Sequence, residues 1–379
     1  MKLVRRFSVI ALLGAGTLHA QTAPSHSTDV GVKPAGEFIY APATVTPECH
    51  ASTIVALNNG DLMASWFGGA HERAADVAIY TARFHAGAWT APVEVARETS
   101  ATGGIPTWNP VLFHTRDGRL WLYYKFGPSP SEWAGARLLS TDEGRTWSPK
   151  ETLPTGVLGP IRAKPLVLPD GVIVSGSSNE GALGWRVFIE RSTDSGTTWK
   201  RMGPLTISKE DDATAKPWPD PPAGSDEIRE KDNAQRTYSG IIQPSVISMG
   251  GKHLRFYARS KTLASRIVVS DSTDAGVTWS TPRYLDLPNN NSGLDVVRLK
   301  DGRIVMIFND TPRGRSPLNL AVSTDGEHFR IFATLEQGPG EYSYPAIIQG
   351  NDGALQMTYT WHRTTIKHVQ LPLAQVPRR

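Results

Sequence analysis

The chain has 379 residues, with 40 Lys and Arg against 36 Asp and Glu, 35 Gly, 28 Pro, 11 Trp and one Cys. A single Cys excludes an intramolecular disulfide framework and a Cys-rich zinc module. With 39% hydrophobic and 20% charged residues, disorder over most of the length is excluded, and the length allows two average domains or one large all-β domain.

In chain order, residues 1–20 read as a secretory signal. Lys2, Arg5 and Arg6 form a basic start, Phe7 to Leu18 an apolar run too short to span a bilayer, and Ala20 a small residue at a cleavage point. Its removal takes three of the 40 basic residues, leaving 37 against 36 acidic ones. The basic balance therefore makes no case for nucleic acid. No other apolar run is long enough for a membrane span. Residues 21–36 are small and polar and form a flexible lead-in. The run Glu37-Phe38-Ile39-Tyr40 precedes every repeat and is placed to close the fold by pairing with its C-terminal end.

The dominant signal is an internal repeat. STDEGRTW (Ser140 to Trp147), STDSGTTW (Ser192 to Trp199) and STDAGVTW (Ser272 to Trp279) share the pattern S-x-D-x-G-x-x-W; STDGEHF from Ser323 is one residue short, and a trace ends at Trp89. The chemistry is that of a hairpin corner. Asp accepts hydrogen bonds from turn amides, Gly supplies the positive φ, and Trp packs an apolar ring against the turn. These boxes are structural corners rather than active-site residues. Turn pairs mark the same rhythm, at Asn59-Gly60, Asp117-Gly118, Asp170-Gly171, Gly250-Gly251, Asp301-Gly302 and Asp352-Gly353. Their spacings are 58, 53, 80, 51 and 51. Six units of about fifty residues match four-stranded propeller blades. The long interval holds a polar surface insertion at about 208–237. The expectation is an all-β, six-bladed β-propeller occupying 37–379 as one domain.

These Asp-boxes, with WNPVLF, IQPS, NSGLDVV and EYSYPAI, resemble the sialidase superfamily of BNR-repeat proteins, in its bacterial sialidase-like branch. The resemblance covers about residues 38–371. It implies a site on one face of the central axis, with three Arg for a substrate carboxylate, a Tyr nucleophile with a Glu partner, and an Asp acid/base. Residue by residue it points to Tyr342 as the Tyr followed by Ser, and to Arg259 and Arg315 as two of the Arg. Four positions depart. His50 stands where the first Arg is expected, Gln243 before Pro244 replaces the Glu, Asn109 stands before Pro110, and the acid/base loop matches loosely as GGAHERAAD, with Glu72 its best candidate.

Two guanidiniums grip a planar carboxylate through paired hydrogen bonds, so the implied ligand is a glycan bearing a terminal acidic sugar. Two reactions fit. In glycoside hydrolysis, Tyr342 attacks the anomeric carbon and Glu72 protonates the leaving oxygen. In β-elimination from a uronide, such as a rhamnose–glucuronate linkage, Arg259, Arg315, Asn109 and Gln243 neutralise the carboxylate. His50 then removes the C5 proton, with Tyr342 as acid. A sugar-binding propeller without catalysis is the third possibility. Cys49 beside His50 reads as a buried thiol, because neighbouring strand residues face opposite ways. The ten His form no metal-binding motif, so neither metal nor cofactor is expected. Lys125, Lys164 and Arg363 sit at strand ends that the sequence does not place.

Overall fold

The computed structural model describes residues 34–221, 237–289 and 291–378. The expected signal segment, most of the lead-in and the centre of the expected insertion lie outside the described residues. The protein is all-β. Its strands form consecutive antiparallel units of about four strands, each opening with a hairpin. Unit 1 contains Glu48–Ala56, Leu62–Gly69 and Ala78–His85, edged by Ala88–Trp89 and Val93–Ala96. Unit 2 contains Thr107–His114, Leu120–Phe126, Ala134–Ser140 and Glu151–Thr152. Unit 3 contains Leu166–Val167, Ile173–Gly181, Gly184–Ser192 and Lys200–Leu205, and unit 4 contains Gly240–Gly250, His253–Lys261, Arg266–Ser272 and Arg283–Pro288. Units 3 and 4 touch edge to edge through one parallel pair, Trp185 with Gly240. Unit 5 contains Asp295–Arg298, Ile304–Phe308, Leu318–Ser323 and Arg330–Glu336. Unit 6 contains Tyr342–Gln349, Leu355–Trp361 and Thr365–Leu371, and its fourth strand is the N-terminal segment Ala35–Phe38. That segment pairs from Ala35 with Gln370 to Phe38 with Lys367.

The turn pairs behave as their chemistry requires. Gly60 (φ 92) and Gly353 (φ 82) hold left-handed conformations that a side chain disfavours. In the box at Ser272, Ala275 (φ 61) and Gly276 (φ 83) are both left-handed. The sequence reading had assigned that conformation to Gly alone. The buried Ser272 hydroxyl accepts from the Gly276 amide at 2.8 Å and donates to Asp274 at 2.8 Å, and Asp274 accepts from the Val277 and Thr278 amides. Ser is thus as central as Asp. Ser272→Ala leaves a buried N–H without its acceptor, at an expected cost of about 1–3 kcal/mol in denaturant unfolding. A change within experimental error would remove Ser from the role.

Apolar faces of successive units pack together. One cluster joins units 1 and 2 through Met63, Phe67, Leu112 and Leu122. Others join 2 and 3, 3 and 4, 4 and 5, and 5 and 6. Units 6 and 1 meet through Ile54, Leu62 and Ala346. Each fully buried Ile or Leu contributes roughly 1.5–3 kcal/mol, so neighbouring units hold each other in register. The first strands also meet. Asp295 of unit 5 accepts from Lys164 of unit 3 (2.8 Å), Ser245 of unit 4 (2.7 Å) and the Ile347 amide of unit 6 (3.0 Å).

The described part of the insertion packs against unit 4. Ser208 caps a helix over Lys209–Thr214. Its Asp212 is buried and accepts from the Leu263 and Ala264 amides and the Tyr284 hydroxyl.

Candidate functional site

The site is built at the end of the units opposite their first-hairpin turns. There the first strands of several units carry the same irregularity. Pairing slips between His50 and Thr53, between Ile242 and Ser245, and between Ser343 and Ala346, and in unit 2 it slips opposite Tyr123 and Lys125. At each slip one residue turns left-handed: Ala51 (φ 55), Asn109 (φ 37), Gln243 (φ 55) and Tyr344 (φ 50). Three of the four precede Pro, which donates no ladder hydrogen bond and favours a bulge. Bulges of this kind re-aim a side chain.

This geometry corrects the expected tyrosine. Tyr342 lies in the apolar cluster between units 5 and 6, with Leu318, Phe332, Ile347 and Tyr359, and its ring meets His362 at 5.1 Å. The tyrosine at the centre is Tyr344. Two residues along a regular strand the side chain would share the face of Tyr342, but the bulge at Tyr344-Pro345 sends it elsewhere. Its hydroxyl accepts from Arg259 Nη1 at 2.6 Å and from Gln243 Nε2 at 3.4 Å. Three guanidiniums surround its ring, those of Arg162, Arg259 and Arg315, at 5.4, 5.5 and 5.6 Å from the centroid. The His50 ring lies against it, centroid to centroid 4.2 Å.

Arg259 is further held by the Gln243 side-chain oxygen at 3.1 Å and by Asn291 at 3.0 Å. Arg315 is placed by its loop. The Asn309 amide nitrogen faces the carbonyls of Arg315, Pro317 and Tyr342 at 2.8–3.0 Å, and the Tyr342 amide donates to the Arg315 carbonyl. The Arg315 guanidinium donates to Glu341 at 2.5 Å. Glu341 also accepts from Arg363 (2.9 Å) and Ser343 (2.5 Å), and His50 Nε2 stands 3.8 Å away. Arg363 reaches on to Glu72 at 2.7 Å, so the expected acid/base residue is engaged in an ion pair. Burial alone would raise the Glu341 pKa, but the Arg315 charge, with that of Arg363, outweighs it and holds the carboxyl well below its usual range. Burial and then the Arg363 charge push His50 well down, against Glu341, so its imidazole is neutral. His50 Nδ1 is buried without a hydrogen-bond partner.

The structure therefore brings His50, Glu72, Gln243, Arg259 and Arg315 into one network, while the Tyr342 ring packs in the cluster between units 5 and 6. Asn109 sits at the matching bulge of unit 2, buried at the same end. Cys49 faces away from the network, and burial pushes its thiol up to about 12. The sequence reading missed Tyr344, Glu341 and Arg162, and named Arg363 without a position. Arg162 crosses from unit 3 to donate to the Leu294 and Pro345 carbonyls of units 5 and 6.

Lys125 is fully buried and donates to the Pro160 carbonyl. Burial lowers its pKa to about 7, against the pull of Glu190. This folded value lies below the unfolded ~10.4. The folded state thus binds fewer protons between the two, and stability falls as pH drops from about 10 to about 7. Lys125→Met is expected to flatten that dependence and to be more stable at neutral pH by roughly 1–3 kcal/mol. An unchanged slope in thermal melts across that range would contradict it.

Among the described residues, no group of three or more His, Cys, Asp or Glu is arranged to hold a metal, and no helix is long and apolar enough to cross a membrane.

Comparison with known proteins places this architecture. A family model described as a BNR repeat-like domain matches residues 60–357. The chain belongs to that family, within the sialidase-like BNR superfamily. Its fold is similar to the NanB sialidase from Streptococcus pneumoniae, at TM-score 0.68 and 11% identity over 90% of this chain and 71% of that one. It is similar to the intramolecular trans-sialidase from Ruminococcus gnavus, at TM-score 0.65 and 14% identity over 93% and 99%. It is equally similar to a protein of unknown function from Dyadobacter fermentans, at TM-score 0.67 and 15% identity over 90% and 98%. No curated protein matches the sequence.

Proposed function

We propose that the protein is an exo-acting glycoside hydrolase of sialidase type that cleaves terminal acidic sugars from glycans. The observation that carries this reading is the phenol of Tyr344, bonded by Arg259 and ringed by three guanidiniums beside a neutral His50. Arg259 and Arg315 bind the sugar carboxylate, exchanging part of their present partners for it. The bound sugar presents its anomeric carbon to the Tyr344 oxygen, and His50 takes the phenol proton. Membership of the BNR repeat-like family, within the sialidase-like superfamily, supports the reaction class.

In this reading residues 37–379 form one six-bladed propeller. The unbroken chain of inter-unit clusters supports it, as does the pairing of Ala35–Phe38 with the last unit. The pattern of residues 1–20 supports a secreted or periplasmic location.

A second reading, β-elimination from a uronide, is favoured by Gln243. A neutral amide and not a carboxylate stands at the Tyr344 hydroxyl, as suits a site that must neutralise a carboxylate and lets His50 or Tyr344 remove the C5 proton. The test is incubation of the mature protein with sialosides and with rhamnosyl-glucuronides. Released sugar without a new ultraviolet-absorbing double bond supports hydrolysis. A shortened glycan with that absorbance replaces it with elimination. Binding without product reduces the protein to a glycan-binding module.

A further inference from the structure

We propose that Glu180 is the proton donor to the departing sugar oxygen, a catalytic residue supplied by unit 3 rather than by the Glu72 loop. The inference rests on the hydrolase reading above.

Glu180 ends the strand Ile173–Gly181, and the alternation of that strand fixes where it points. Gly176 faces Pro244, for a Cβ there would lie 2.3 Å from the Pro244 carbonyl oxygen. Ser178 accepts from the Gln243 amide at 3.2 Å. Glu180, the next residue on the same face, extends past Gln243 toward the open end of the site. Its strand partner Trp185 carries Arg259 at 5.1 Å and Lys261 at 5.8 Å from its ring. Among the described residues the Glu180 carboxyl has neither a hydrogen bond nor an ion-pair partner, whereas Glu72 is bound by Arg363 and Glu341 by two arginines. Of these three carboxyls, Glu180 alone has no arginine bound to it.

Burial is the main influence on Glu180 and raises its pKa; the Glu72 charge adds to the rise, and Arg259, Arg73 and Lys261 oppose it. A carboxyl that keeps its proton nearer neutrality, beside others that are ion-paired, is the pattern of an acid among bases. The step balances as follows. Glu180 gives its proton to the glycosidic oxygen as the bond from that oxygen to the anomeric carbon breaks. Tyr344 oxygen bonds that carbon, and its proton passes to His50. Water then adds to the carbon and gives a proton to the Glu180 carboxylate, while Tyr344 leaves and recovers its proton from His50. One water is consumed and both groups are restored.

The experiment compares leaving groups. Wild type, Glu180→Gln and Glu180→Asp are assayed on an α-sialyl and a β-glucuronyl disaccharide and on the 4-nitrophenyl glycosides of the same two sugars. Nitrophenolate departs without protonation. Glu180→Gln is therefore expected to lose about 10²–10³-fold in kcat/KM, which reports the leaving-group step alone, on the disaccharide that wild type cleaves and less than about 10-fold on its nitrophenyl counterpart. Glu180→Asp is expected to recover part of the loss, and Glu180→Gln to lose the alkaline limb of the pH profile. Equal losses on both leaving groups, or no loss, overturn the assignment while wild-type turnover keeps the hydrolase reading. A wild type that hydrolyses none of the four overturns both.

Discussion

Tyr344→Phe is expected to reduce turnover of the acidic glycoside by at least about 10³-fold while the protein stays folded. The change removes one oxygen, the acceptor of Arg259 and Gln243, and leaves the ring between His50 and the three guanidiniums. Tyr342→Phe is the matched control, because its ring packs in the cluster between units 5 and 6. That variant is expected to keep turnover within a few-fold. Near-normal activity in Tyr344→Phe, or a larger loss in Tyr342→Phe, would show that the bulge does not select the reacting tyrosine. Circular dichroism and melting temperature of both variants separate chemistry from misfolding.

Glu341→Gln is expected to give the largest effect on stability. Glu341 joins Arg315, Arg363, Ser343 and His50. Neutralising it removes the charge shared by Arg315 and Arg363, of which Arg363 keeps Glu72, and removing one partner of a buried pair costs up to about 3–5 kcal/mol. The pH dependence has a definite sign. The folded carboxyl lies well below its unfolded value of ~4.3, so its contribution is present above about pH 4.5 and is lost as pH falls below that. Wild type should therefore lose stability on acidification more steeply than Glu341→Gln, and the two melting curves should converge at low pH. Parallel curves would mean that the ion pairs add nothing net. The same variant should also raise KM, since Arg315 and Arg363 lose the group that orients them.

The repeat was legible because turn chemistry is local. Asp301-Gly302 and the box at Ser272 name their own geometry within a few residues, and the structure places a hairpin corner at each. The pairing of Glu37 and Phe38 with the last unit was readable for a related reason: one strand stood outside the repeat count, and unit 6 lacked one. The site was legible only in part. His50, Gln243, Arg259 and Arg315 followed from the resemblance to the sialidase superfamily, carried residue by residue onto short motifs. Tyr342 was chosen over Tyr344 because it is the Tyr followed by Ser, and regular alternation would give both residues the same face. The signal that separates them is present, since Asn109, Gln243 and Tyr344 each precede Pro at the same point of a first strand, but its meaning is a bulge, which alternation does not contain. Glu180 stood in no motif, and Glu341 opened EYSYPAI without an assigned role. Their roles come from what lies beside them, and those neighbours are up to hundreds of residues distant in sequence.

The sequence by itself determined the rhythm of this protein: where strands begin, where they turn, and that the units repeat. Those choices rest on φ preferences and amide bonding within each turn. Only the tertiary structure decided which side chains meet at the open end. That depends on a one-residue slip in each first strand and on the packing of unit against unit, and it set Tyr344 among the arginines, bound Glu341 and Glu72, and left Glu180 unpaired.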